Sequence, residues 1–535
     1  MKYIHAFIPF IILILGGFWW AGREKPQPNR PNFLFIAVDD LNIYNTVLGN
    51  FPGNFLEKIY PDDKLRESVI NRLTPRMNAF AKEAIVFEKA YCAAPLCGPS
   101  RTALLTGVPP HVSGYYHHDQ HFRGYETLTD AVTLPQYLKQ NGYYTCGIGK
   151  VFHKGQSYLD RGVFSDWPDQ LFSWDDWVET RTGTGAGAEA SVGREEKISR
   201  YWENKTGNVR NYTRFGTTEV PREKANDFLN AKFIADLVLS GRAEMVDFRK
   251  QKKQVEVPKD KPWFLACGLF APHLPWVVPQ SFHDLFPVSE MSIDQELLDW
   301  IKEDQQDLSG YGKEVTRKTG FTRLRQYGIK VDGEGGDLNA WKAYFQAYLA
   351  TVAYSDQNIG FLIDALKKSP GKDNTVVLLW SDHGYHIGDK NRTGKTTLWE
   401  GANHSNLIAR DYRNTNTGTI QTPVSLQDLY PTVVSLAGLP RPGHIYGYDL
   451  SKMLTMETSD RGPVLNTHGK DNHALRVDQY RFIRFRNGDQ ELYDLEKDPF
   501  EFENLVGKEA YAVVANELEQ LLDRELSRTP GQFPQ

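Results

Sequence analysis

Two uninterrupted apolar runs, each of strand length and each closed by acid, restrict this chain more than any other feature. Asn32–Val38 reads NFLFIAV and stops at Asp39-Asp40. Thr375–Trp380 reads TVVLLW and leads into Ser381-Asp382-His383-Gly384. A strand with one wet face alternates apolar and polar residues. A run without alternation belongs to a strand covered on both faces, as in a parallel sheet between helix layers. Trp263–Leu269 is a third such run, and Tyr143–Ile148 is a shorter strand behind a helix over Leu134–Asn141. Thr74-Pro75 predicts a helix start, with Thr as cap, Pro in the first turn and Met77, Phe80, Ala81, Ala84 and Ile85 at helical spacing. Tyr344–Leu366 predicts a long amphipathic helix, closed by Ser369-Pro370-Gly371. Strands alternating with helices predict an α/β fold with a large, mainly parallel sheet flanked by helices.

The chain is not uniform. After about residue 455 the apolar runs give way to alternation, Tyr480 to Phe485 and Glu491 to Leu495, around an Asn487-Gly488 turn. A helix over Ala510–Leu526 follows. This predicts a catalytic domain over 23–455 and a smaller α+β C-terminal domain, antiparallel sheet plus helix, over 456–535. At the other end, Lys2 precedes about 17 almost wholly apolar residues from Ile4 to Trp20, then Ala21-Gly22 and a charged stretch. Residues 1–22 read as a secretory signal peptide or an uncleaved N-terminal anchor, so the chain is expected to be exported, periplasmic or extracellular, and membrane-attached only if that segment stays. No cysteine follows it to carry a lipid. Lys+Arg 62 against Asp+Glu 67 gives no global electrostatic reason to expect a nucleic-acid partner. Four cysteines in 535 residues make no disulfide framework.

Ligands of open parallel sheets sit beyond the carboxyl ends of the strands. Asp39, Asp40 and Asp382 would therefore meet at one edge, where three carboxylates repel unless a cation neutralises them; an oxygen-rich set suits Ca²⁺ or Mg²⁺. Each Asp could instead cap the next turn. The run Cys97-Gly98-Pro99-Ser100-Arg101-Thr102 also admits two readings. Pro99 and Ser100 can open a helix with Cys97 just ahead of it, where free N–H groups favour an anion and would lower the thiol's pKa. The other reading is a buried Cys before a capped helix. Lys150 and His153 follow one predicted strand, His273 follows another and Lys395 follows the Asp382 motif. Gathered at the same edge, such groups suit an anionic tetrahedral substrate whose charge grows in the transition state.

The Cys97-Gly98-Pro99-Ser100-Arg101 run with Leu104-Leu105-Thr106-Gly107 resembles the Cys-x-Pro-Ser-Arg signature of the type I sulfatases. Val38-Asp39-Asp40, Gly149-Lys150, Ser381-Asp382-His383-Gly384, Gly394-Lys395 and the C-terminal ELYDLEKDP run fall in that family's order. Within the family, Asp382-His383, Gly149-Lys150-Val151-Phe152-His153 and Pro272-His273-Leu274-Pro275 look most like the iduronate-2-sulfatase branch. The resemblance implies an alkaline-phosphatase-like sulfatase fold. It implies that Cys97 is converted to 3-oxoalanine (formylglycine) by a formylglycine-generating, sulfatase-maturating enzyme, and that its hydrate is the nucleophile. It further implies one Ca²⁺ per chain held by Asp39, Asp40, Asp382, His383 and the modified residue 97. Arg101 would orient the hydrate, Lys150 would bind sulfate, His153 would act as base, and His273 and Lys395 would stabilise or protonate the leaving oxygen. His383 stands where many sulfatases carry Asn.

The expected substrate is a sulfated oligo- or polysaccharide, either a glycosaminoglycan or an algal fragment. His117, His118, Arg123 and Tyr385 are candidates to line its pocket, against the alternative that 115–123 is a surface loop. Residues 179–218 and 305–338 read as long surface insertions; the second carries Lys313, Arg317, Lys318, Arg323, Arg325 and Lys330, a solvated loop or a subsite for an anionic polymer. Two rivals stand beside this reading. A phosphodiesterase or phosphonate monoester hydrolase of the same superfamily would share the motifs. A non-catalytic sulfated-glycan binder would lack a nucleophile or a metal ligand, and none is missing.

Overall fold

The computed structural model describes residues 30–118, 121–153, 168–178, 199–200, 215–246, 251–319, 338–457 and 461–534. The main sheet has eight strands: β1 (Asn32–Val38), β2 (Ile85–Phe87), β3 (Tyr144–Gly149), β4 (Asp176–Val178), β5 (Trp263–Leu269), β6 (Thr375–Ser381), β7 (Leu407–Asp411) and β8 (Gly418–Ile420). Their order is β8-β2-β7-β6-β1-β5-β3-β4. Only β7 runs against the others. The predicted parallel α/β architecture is therefore present. The alternative of a helical Ile85 gives way: the helix there is Pro75–Ala81, and Ile85 starts β2.

β1 lies at the centre, wholly buried. Leu34, Ile36 and Val38 join the core on one face, and Phe33, Phe35 and Ala37 join the core on the other. Burying a side chain of this size contributes about 1.5–3 kcal/mol, which explains the absence of alternation. One face is covered by α2 (Asn226–Ser240) and α4 (Leu338–Lys367). α4 differs from the amphipathic helix expected: its buried residues run around most of its circumference, including Trp341, Tyr344, Phe345, Tyr348, Val352 and Ile359, because it is enclosed by other elements. α1 (Cys97–Thr106) lies against the other face, every residue buried.

The C-terminal part is a four-stranded antiparallel sheet, β9 (Val464–Thr467), β10 (His473–Val477), β11 (Tyr480–Arg484) and β12 (Gln490–Asp494), with α5 (Ala512–Leu526). Leu518 and Leu522 of α5 pack on Leu475, Phe482 and Leu492. The other side, Ala474, Ile483 and Tyr493, packs on Leu398 and Trp399 of the larger domain. The second predicted insertion is partly a helix, α3 (Gly310–Thr319), rather than a free loop. Ser309 donates to Glu491, and Tyr311 stacks on Phe485 at 4.8 Å between ring centroids. Residues 320–337, with Arg323, Arg325 and Lys330, lie outside the described residues, as do 1–29 and most of 179–218. Among the described residues no helix is long and apolar enough to cross a membrane.

Candidate active site

Strand register brings the candidate residues together. Val38 pairs with Ser381 on one side and Leu269 on the other, and Gly268 pairs with Gly149. The chain therefore leaves β1, β6, β5 and β3 at one level, delivering Asp39 and Asp40, Asp382 and His383, His273, and Lys150 and His153 to the same edge. Glycine is required where β3 and β5 end. Gly149 sits at φ 74°, and a Cβ on Gly149 would meet the Gly268 carbonyl, as one on Gly268 would meet the Lys150 backbone. Cys97 is the first residue of α1, one position further into the helix than expected.

Acids and cations interlock there. Arg101, fully buried, donates from Nε to Asp382 Oδ2 (2.8 Å), from Nη2 to Asp39 Oδ1 (3.2 Å) and from Nη1 to the Val151 carbonyl (3.1 Å). Lys150 Nζ pairs with Asp39 Oδ2. Lys395 Nζ reaches Asp40 Oδ1 at 2.5 Å and Cys97 Sγ at 2.8 Å. Burial by itself would raise the three carboxyl pKa values; Lys150 beside Asp39, Lys395 beside Asp40 and Arg101 beside Asp382 more than reverse it, and all three lie below the ordinary carboxylate value. Asp40 holds φ 60°, fixed by its carbonyl's bond from Tyr348 Oη (2.9 Å) and its N–H's bond to Asp382 Oδ1 (3.0 Å). Strained non-glycine backbone of this kind persists where the surroundings over-determine it.

The thiol departs from the activated reading. Burial, then Asp39, pushes Cys97 up, and Lys150 and Lys395 do not overcome this. Its helix is also not an open anion site, since the Gly98 N–H donates to His118 Nε2 at 2.9 Å. A bare thiol at 97 is thus a protonated, shielded group. All four cysteines are free and buried, so Cys92, Cys146 and Cys267 form no disulfide.

The donor set fits a hard cation. Donor atoms of Asp40, Cys97, Asp382 and His383 lie within 4.8 Å of one another, as do those of Asp39, Asp40, Cys97 and His273. His383 Nδ1 lies 2.8 Å from the Gly384 carbonyl, which only accepts, so the ring proton is on Nδ1. Burial foremost holds this imidazole below its ordinary pKa, hence neutral. Its Nε2 lone pair then faces Asp40 Oδ1 at 3.4 Å and Asp382 Oδ2 at 3.7 Å. A lone pair aimed at two carboxylates with no proton between them is a ligand arrangement, and carboxylate oxygens suit Ca²⁺.

The remaining candidates separate. His153 stacks on His118, centroids 3.8 Å apart and 23° tilted, and its buried Nδ1 has no partner among the described residues. His273 Nδ1 lies 2.6 Å from the Leu274 carbonyl, which directs Nε2 to Asp40 Oδ2 at 3.8 Å. His117 is exposed, edge-on to His468 at 6.4 Å. Arg123 makes none of its hydrogen bonds to the cluster. Its guanidinium binds Asp169 (2.7 and 2.9 Å) and the Thr129 and Ala131 carbonyls, which brace its own loop. Tyr385 is buried at 6% exposure among Tyr348 and Trp276, and it borders a cavity shared with Tyr44, Trp300 and Glu501 whose lining does not include Cys97. Motif reading missed three supports. Asp227 accepts from the Phe270 and Ala271 N–H groups (2.9 and 2.8 Å) and so fixes the turn that carries His273. Tyr348 holds Asp40, and Ser100 Oγ donates to the Asp382 carbonyl (2.5 Å). Ser100 was visible inside the signature; nothing local marks Asp227 or Tyr348, whose partners are distant in sequence.

Comparison with known proteins agrees with this geometry. The Sulfatase family profile matches residues 31–439, and a profile for the C-terminal part of N-sulphoglucosamine sulphohydrolase matches residues 394–528. A sulfatase of Formosa agariphila is 31% identical, over 90% of this chain and 84% of that protein. An N-acetylglucosamine-6-O-sulfatase of Bacteroides thetaiotaomicron is 26% identical (94% and 87% covered), and the iduronate 2-sulfatase of Mus musculus 25% (88% and 82%). The iduronate branch is thus one among several sulfatase types of similar distance. The fold is shared with a phosphonate monoester hydrolase from Silicibacter pomeroyi, at 18% identity, TM-score 0.68, 94% of this chain and 96% of that one. A profile match over most of the chain, on a sheet edge that gathers the signature cysteine with acids and cations, establishes that this chain belongs to the sulfatase family.

Proposed function

We propose that the chain removes O-sulfate from a sulfated carbohydrate, a glycosaminoglycan or algal polysaccharide fragment, with Cys97 matured to formylglycine and one Ca²⁺ held by Asp39, Asp40, Asp382, His383 and residue 97. The observation that carries this reading is the convergence on residue 97 of three carboxylates, His383 and Lys395, brought from segments far apart in the sequence. When bound, Ca²⁺ supplies positive charge toward the sulfate oxygens, and formylglycine supplies a hydrate oxygen as nucleophile. The protein's own groups do the rest. Lys150 and Lys395 neutralise the anionic ester and, in a buried site, act on its growing charge more strongly than in water. Arg101 holds Asp39 and Asp382 apart at fixed positions. His153, held below its ordinary pKa by burial first, is neutral and able to take a proton. His273 directs Nε2 to the cluster, where it can hold a proton against the departing oxygen. Similarity to an N-acetylglucosamine-6-O-sulfatase and an iduronate 2-sulfatase, with the N-sulphoglucosamine sulphohydrolase profile, supports a sugar substrate. Export and maturation by a formylglycine-generating enzyme complete the proposal, the first resting on the apolar run from Ile4 to Trp20.

The test has two arms. Peptide mass of the Cys97 segment from active protein should show conversion of thiol to aldehyde, and elemental analysis should find one calcium that Asp382→Ala loses. An unmodified thiol in fully active protein overturns the mechanism. Assayed in parallel, sulfated oligosaccharides should be hydrolysed far faster than phosphonate monoesters; the reverse order would reassign the substrate class.

A further inference from the structure

Cys97 belongs to three donor sets, two rich in carboxylates and one of opposite character. On one side lie the oxygens of Asp40 and Asp382 with His383. On the other, Cys97 Sγ, His118 and His153 offer three donor atoms within 4.8 Å of one another, a sulfur and two imidazole nitrogens. Oxygen sets take hard cations, whereas one thiolate with two imidazoles is a Zn²⁺-type set with a fourth position open. We propose that the chain whose Cys97 is still a thiol carries a soft metal site, built by Cys97, His118 and His153, for a Zn²⁺-class ion, and that the chain with formylglycine at 97 lacks it. The second clause rests on the formylglycine reading; the site itself does not.

Four observations support the assignment. The His118 and His153 rings are stacked 3.8 Å apart at 23°, so neither must be carried in from a distance. The buried Nδ1 of His153 has no partner among the described residues, a defect that a ligand would repair. His118 lies over the first turn of α1, where its Nε2 accepts from the Gly98 N–H, a bond that coordination to the metal replaces, and glycine at 98 leaves the ring room: a Cβ there would come within 2.7 Å of His118 Cδ2 and 2.6 Å of Tyr115 Oη. Lys395 Nζ, 2.8 Å from Sγ, gives a thiolate a charged hydrogen-bond donor. Binding exchanges one proton for the metal: the Cys97 S–H bond breaks, a sulfur–metal bond forms, and H⁺ leaves to solvent. No electron is transferred. The consequence is a change of metal preference at one residue. With sulfur at 97 the nitrogen side is selected; with oxygen at 97 only the carboxylate side remains complete.

The experiment uses the full chain produced without maturating activity, its thiol confirmed by peptide mass, and titrates metal-free protein with Co²⁺ as the spectroscopic probe. One equivalent should give a sulfur-to-cobalt charge-transfer band with four-coordinate visible bands. Zn²⁺ should bleach it, excess Ca²⁺ should not, and Cys97→Ser and the double variant His118→Asn, His153→Asn should lack it. Circular dichroism establishes that the variants are folded, and if the double variant is not, His153→Gln alone replaces it with the same expected loss. Co²⁺ bound without a thiolate band, a band that survives loss of the two histidines, or a band removed by Ca²⁺ overturns the proposal. Because the thiol form alone is titrated, a finding that active enzyme keeps its thiol would refute the proposed mechanism and leave this result standing.

Discussion

Two clusters of buried charge in this protein invite comparison. One is the sheet-edge cluster of Asp39, Asp40, Asp382, Arg101, Lys150 and Lys395. The other lies between the large domain and the C-terminal sheet: Arg481 pairs with Glu400 and Glu501, and Lys390 pairs with Asp304 and the Glu501 carbonyl. The second is nearly sealed, with Arg481 fully buried and Glu400 at 12% exposure, and Arg481 also donates to the Leu398 carbonyl and to Asn466. The first is left ajar: the side chains of Lys395 and His273 retain 15% and 17% exposure against 0% for Arg481. Both clusters desolvate charge, and desolvation is tolerable only with full pairing. Closure marks the sealed cluster as a fastening between domains; the surplus of donors aimed at one opening marks the other as a place for a ligand.

The largest expected effect breaks the open cluster without touching the fold. Cys97→Ala should lower kcat by roughly 10⁴-fold or more, measured on a small sulfate ester, while the melting temperature stays near that of the parent. The sealed cluster should respond in the opposite way. Arg481→Met removes the cation that pairs with both Glu400 and Glu501, a loss of about 3–5 kcal/mol in urea unfolding, with kcat per folded molecule unchanged. A drop in kcat at full stability would erase the distinction between the two clusters. Next in size, Asp227→Asn should cost about 10–100-fold in kcat with KM little altered, because it loosens the turn under His273 rather than the binding groups; an unchanged kcat would remove Asp227 from that role.

The smallest effect is a pH slope. Asp356 accepts from the Arg76 and Met77 N–H groups, yet burial raises its carboxyl from 3.8 to about 7. The folded chain therefore binds this proton more tightly than the unfolded one. Its contribution is complete below about pH 3.8 and is lost as pH rises through about 7. Asp356→Asn should flatten that part of the stability curve between these limits; an identical curve in the variant would remove Asp356 as its source. Since Asp356 lies in neither cluster, it calibrates how far burial shifts a carboxyl here against two backbone N–H donors and the Arg76 charge.

Which parts of this were legible in advance follows the range of the interactions. The runs at Asn32–Val38, Trp263–Leu269 and Thr375–Ser381 announced their strands, because burial on both faces demands unbroken apolarity. The signature around Cys97 was legible because its residues are neighbours in the chain. Arg123 and Tyr385 were misplaced for the converse reason: each is next to site residues in sequence, and the fold turns the one into a brace for its loop and the other into core. Tyr344–Leu366 read as half-exposed because its own period could not reveal the elements packed on its second side.

By itself, the sequence determined the kind of sheet, the acids at its strand ends, the signature cysteine and the family. Each is a property of residues a few positions apart, where backbone geometry and solvent preference act locally. Only the tertiary structure decided that Asp40 and Asp382 share one hydrogen bond across 342 positions, that Lys395 meets Cys97 across 298, and that the thiol is shielded rather than activated. Those facts depend on how deeply the site is desolvated and on which charges remain to face one another, and both are set when the sheet assembles.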